Sequence, residues 1–177
     1  MEELRQLLQS LKQPEYVHVL LNPLPVYALS MGALALVIAL LMRSRPAQVA
    51  ALIVVIIGFA SAYPVLHYGQ RGYDRVYAMS NADAQEWLDL HMWRAETFVY
   101  VFYAGALLAV GTLIAMRKFQ RAATPLAIVT LLAALLSVAV GGWISHAGGQ
   151  VRHSEFREGP PPHAVEHDAE HDHHRES

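Results

Sequence analysis

The sequence predicts an all-α integral membrane protein: a four-helix up-down bundle with an N-terminal amphipathic helix and a disordered, histidine-rich tail. Three observations carry this. Only 16% of the 177 residues are charged, against roughly a quarter in globular chains. Four segments hold no formal charge: Leu24 to Met42, Pro46 to Tyr68, Thr97 to Met116 and Ala122 to Ser145. Each reaches the ~20 residues that a helix needs to cross the hydrocarbon of a bilayer. None alternates in polarity as a barrel strand must, so helix is the solution that satisfies the backbone in lipid.

Residues 1–13, MEELRQLLQSLKQ, place Leu4, Leu7, Leu8 and Leu11 at helical spacing on one face, which predicts a helix lying in the headgroup region. A docking helix for a partner subunit is the alternative. Pro14 is expected to end it. The acidic start and the Arg43-Ser44-Arg45 stop after the first span argue against a cleaved signal peptide.

The membrane domain covers 14–157. Pro23 and Pro25 are expected to bend span one. Arg43 and Arg45 join spans one and two; Arg117, Lys118 and Arg121 join spans three and four, with no acidic residue in either loop. By the positive-inside rule both loops are cytoplasmic. The chain is then a multi-pass protein of the bacterial inner membrane with both termini in the periplasm. Ser80 or Asn81 is placed to cap the helix that becomes span three, with Asp83 and Glu86 near its positive end. Trp87, Trp93, Tyr100, Tyr103 and Trp143 suit an interfacial aromatic band. Each half has two spans and one tight basic loop, a weak two-fold pattern.

Function is sought among the ten histidines. His18, His67, His91 and His146 fall one per span. Counted at 1.5 Å per residue from the cytoplasmic ends, they lie ~36, ~31, ~37 and ~36 Å up. They form one layer at the outer face. Ionisable groups in a bundle tend to face inward and to be functional, so the layer predicts a shared cofactor or metal site. Imidazole suits zinc, copper, nickel and iron, including haem iron with two axial histidines. His67 and His146 are the first expected axial pair, with His18 and His91 as a second pair or as ligand-binding groups. Arg71, Arg94 and Arg152 lie outward, where they could meet propionates or an anionic ligand. Gly141, Gly142, Gly148 and Gly149 around His146 would give a planar group clearance; for Gly148-Gly149 a helix stop is the plainer expectation. No CxxCH is present, so any haem would be non-covalent, of b type.

The competing chemistry is a bare copper or zinc centre on the same four histidines, helped by Glu96 or Asp89. A third possibility is a structural subunit that only anchors a complex. No HExxH, phosphate loop or Ser-His-Asp pattern supports hydrolysis. With no cysteine and a net charge of -2, thiolate sites and nucleic-acid binding are excluded.

HAGGQVRHSEF, with a histidine before span one and histidines bracketing the outer loop, resembles an uncharacterised family of bacterial four-helix inner-membrane proteins. The resemblance covers Tyr16 to Arg157. It implies the fold and the membrane location and no reaction. His67 and His146 at helix ends also look like the ligands of membrane b-type cytochromes, whose axial histidines come from facing helices of a bundle. That likeness implies electron transfer, with quinone or a periplasmic redox protein as partner, in a homo-oligomer or as a subunit of a complex.

Residues 158–177 change character. Proline, acids and histidine without an apolar face predict disorder. His163, His167, His171, His173 and His174 could bind copper or zinc, or form a solvated tail with incidental affinity.

Overall fold

The structure, a computed structural model, describes residues 2–159. The tail histidines expected to bind metal, His163, His167, His171, His173 and His174, lie outside the described residues. Seven α-helices follow in chain order: α1 (Glu2–Ser10), α2 (Pro14–Leu21), α3 (Leu24–Leu41), α4 (Arg45–Ala60), α5 (Ala62–Ala78), α6 (Ala82–Lys118) and α7 (Gln120–Arg152). Of these, α2 to α7 form the four candidate membrane spans among the described residues: Pro14–Leu41, Arg45–Ala78, Ala82–Lys118 and Gln120–Arg152. The protein is an all-α, multi-pass four-helix bundle.

Proline and caps explain the boundaries. Pro14 does not end α1; it opens α2, where its missing N–H is one the first turn cannot use anyway. α1 has already stopped at Ser10. Pro23 and Pro25 divide α2 from α3, as their missing donors require. Span two is divided at Ser61, whose hydroxyl donates to Gly58 O at 2.7 Å. Asn81 Oδ1 accepts from Ala84 N at 2.9 Å and caps α6, the expected role for this residue type. α7 runs unbroken through Gly148 and Gly149 to Arg152, so these glycines do not stop it.

Span one packs beside spans two and four, and span three beside the same two. Spans one and three therefore occupy opposite corners. Within the bundle, Leu29, Val55, Phe59 and Phe102 close the core. Gly105 admits Phe59: a Cβ there would lie 2.2 Å from the ring. Nearer the tight loops, the Thr112 and Thr130 hydroxyls meet at 2.8 Å, satisfying polar groups that lipid would leave bare. The start of α2, the α5–α6 turn and the end of α7 share the other end, where the bundle opens around a cavity.

Candidate functional site

The cavity has a volume of about 410 Å³, within the range of roughly 300–1,000 Å³ typical of small-molecule and cofactor pockets. All four spans line it. Its floor is apolar, from Val26, Ala62, Val99 and Phe102; its mouth is polar, from Gln13, Glu15, Tyr73 and Arg152. A guest with an apolar body and an anionic or hydroxylated edge fits that gradient.

Two histidines line the cavity, His18 from α2 and His91 from α6. Their ring centroids are 6.2 Å apart, with the planes at 72°. His91 is 8% exposed and His18 is half-buried. His18 Nδ1 lies 2.9 Å from Val65 O, and His91 Nδ1 lies 2.9 Å from Ile144 O. A carbonyl can only accept, so each Nδ1 carries the hydrogen. In the neutral ring, Nε2 then keeps its lone pair, the form in which imidazole binds a metal.

The expected first pair is corrected. His67 and His146 are exposed and line no part of the cavity. His67 lies beside Tyr63 and Tyr68, and His146 Nδ1 is 3.4 Å from Gln150 Nε2. The reason is rotational. Each sits two residues beyond the carbonyl that faces the cavity, Val65 or Ile144, and two helical residues turn the side chain about 200°. The four imidazoles do not share a centre: His18 and His91 line the cavity, and His67 and His146 do not. The arginines also divide. Arg152 reaches the cavity mouth, whereas Arg71 is exposed and absent from the lining. Arg94, 8% exposed, stacks 4.0 Å over the Trp143 ring and donates to Trp143 O at 3.0 Å. The candidate acidic ligands have other partners: Glu96 accepts from Gln70 at 2.8 Å, and Asp89 accepts from Tyr73. Trp87 is buried in a cluster with Leu88, Ala147 and Val151.

The site is built twice. His18 bonds Val65 O and packs on Gly69; His91 bonds Ile144 O and packs on Gly148. The first set lies within spans one and two, the second within spans three and four, so each hairpin contributes one imidazole. The cavity lining pairs off likewise, with Val19 matching Met92, Val26 matching Val99, and Ala62 matching Gly141. The signal is present in the sequence once the sites are aligned. HVLLNPLPVYALSMGAL from His18 corresponds to HMWRAETFVYVFYAGAL from His91, and VLHYG from Val65 to ISHAG from Ile144. Each pair shares its histidine, and the longer strings share VY and GAL. Charge patterning alone exposed only the weak two-fold arrangement; the register of these strings locates the cavity histidines.

Among the described residues, no group of three or more His, Cys, Asp or Glu side chains is placed to hold a metal ion. No family model, curated protein or solved structure matches the chain.

Proposed function

We propose that the protein binds one b-type haem between His18 and His91 and transfers electrons. The observation that carries this reading is the histidine pair across the cavity, each ring tied by Nδ1 to a helix carbonyl. A metal lies about 2 Å from an imidazole nitrogen, which puts the centres of two trans imidazoles roughly 6 Å apart. The separation of 6.2 Å agrees with that figure. Two imidazoles alone fall short of the three or four protein ligands that a zinc site takes. A porphyrin brings four nitrogens of its own and needs only the two. This favours haem over the copper or zinc alternative within the bundle.

When bound, the haem would supply a one-electron redox centre. The rest is the work of the chain. His18 and His91 would hold the iron from opposite corners of the bundle, and iron held by two protein imidazoles suits electron transfer rather than capture of a small molecule. Arg152 at the mouth would meet the carboxylate edge, and Val26, Val99 and Phe102 at the floor would exclude water from the apolar edge. The basic tight loops favour a mouth on the periplasmic side of the bacterial inner membrane. A periplasmic redox protein or a membrane quinone would then exchange electrons there.

The test is an absorption spectrum of detergent-extracted protein from haem-replete cells, oxidised and reduced. A Soret band is expected with one haem per chain, lost or displaced in His18→Ala and His91→Ala and retained in the double variant H67A/H146A. A wild-type protein without a Soret band, or haem that survives loss of His18 and His91, would refute the assignment.

A further inference from the structure

Each cavity histidine rests in a notch that a glycine makes. In an α-helix the carbonyl of residue i accepts from the N–H of residue i+4. The Cβ of that later residue tilts back over the same turn and crowds the carbonyl's second lone pair. Gly69 stands four residues after Val65, and Gly148 four after Ile144. Without a Cβ at these positions, Val65 O and Ile144 O are open to an outside donor, and His18 and His91 supply it at 2.9 Å each. The fit is close. A Cβ on Gly69 would lie 3.0 Å from both Cε1 and Nδ1 of His18. A Cβ on Gly148 would lie 2.9 Å from His91 Cε1 and 3.0 Å from Nδ1. Neighbouring glycines have no such role, since a Cβ on Gly142 or Gly149 would meet nothing within 4 Å.

Resting on the bis-histidine reading above, we propose that Gly69 and Gly148 are positioning residues that seat the two imidazoles against helix carbonyls and so hold the axial ring planes near perpendicular. The two notches belong to different hairpins, so the angle between the rings, 72°, is set by how the hairpins pack. The Nδ1–H bond also fixes the tautomer and makes each ligand more basic. An alanine in either notch must push its ring away from the carbonyl. That rotates the ring, weakens the bond and changes the electronic asymmetry felt by the metal while the second histidine stays in place.

The experiment is electron paramagnetic resonance on the oxidised full-length protein in detergent, with a redox titration alongside. Near-perpendicular axial imidazoles give a strongly anisotropic low-spin ferric signal dominated by one low-field feature. Near-parallel rings give a three-line rhombic signal. Wild-type protein is expected to show the former. Gly148→Ala is expected to retain haem with a shifted midpoint potential and a rhombic or partly high-spin signal, whereas Gly149→Ala stays as wild type. A rhombic wild-type signal overturns the proposal, as does a Gly148→Ala protein with unchanged signal and potential. If Gly148→Ala does not fold, the wild-type signal decides alone. Absence of any Soret band in wild type refutes the haem reading itself, a different result from haem with the wrong ring geometry.

Discussion

Of the glycines that line the cavity, Gly72 is the one set closely against the backbone of a neighbouring helix, and replacing it with alanine should loosen α2 from α5. A Cβ on Gly72 would come within 2.9 Å of both the backbone N and Cα of Glu15. Backbone cannot swing aside as a side chain can, so the helices must separate by roughly 0.5 Å or more to restore ordinary contact. Overpacking of this kind costs about 1–3 kcal/mol. The same displacement strains the Arg75–Glu15 ion pair at 2.8 Å and the His18–Val65 hydrogen bond at 2.9 Å; losing one such hydrogen bond costs about 0.5–1.5 kcal/mol. Against this, alanine in a helix interior gains up to about 1 kcal/mol over glycine. The net expectation is a destabilisation of ~1–3 kcal/mol, or ~2–12 °C in melting temperature for a chain of this size. Gly111 provides the control, since a Cβ there meets nothing within 4 Å. Gly111→Ala should leave the midpoint unchanged or raise it. Thermal unfolding of both variants in one detergent, followed by intrinsic tryptophan fluorescence, makes the comparison. Equal midpoints for Gly72→Ala and Gly111→Ala would show that α2 and α5 are not packed through this contact.

Three further expectations come from other parts of the molecule. Phe59 is fully buried and fills the space left by Gly105, so Phe59→Ala should cost about 3–5 kcal/mol, read as a lowered unfolding midpoint. Asn81→Ala removes the bond to Ala84 N and should cost about 1 kcal/mol; hydrogen exchange should rise in the first turn of α6 and not in α7. Arg94 is a buried cation one turn from His91 and disfavours added positive charge nearby. At roughly 10 Å and an effective dielectric near 20, that is about 1.5 kcal/mol. Arg94→Gln should therefore lower the midpoint potential of bound haem by some tens of millivolts, and an unchanged or raised potential would contradict it.

Much of the architecture was legible from the chain alone. Uncharged stretches mark the spans because lipid tolerates neither charge nor an unpaired backbone. Prolines at 23 and 25 mark a division in span one, and Asn81 marks a helix start, because these effects are local. Pro14 was misread because proline both follows helices and opens them, and only the early end of α1 distinguishes the two. Gly148-Gly149 looked like a stop because glycine past an apolar run usually is one. Packing against His91 instead keeps Gly148 inside α7.

The level of the four histidines could be counted from the sequence, since rise per residue is constant along a helix. Which of them look inward could not. A membrane span is apolar on every side, so its hydrophobic pattern carries little information about rotation, and a shift of two residues reverses the face. What the sequence determined by itself was the number of spans and their alternation. Only the packing of the two spans within each hairpin turned His18 and His91 into the cavity and left His67 and His146 outside. That choice depends on which carbonyls lie beneath a missing Cβ across the interface, a relation between helices rather than a property of any one of them.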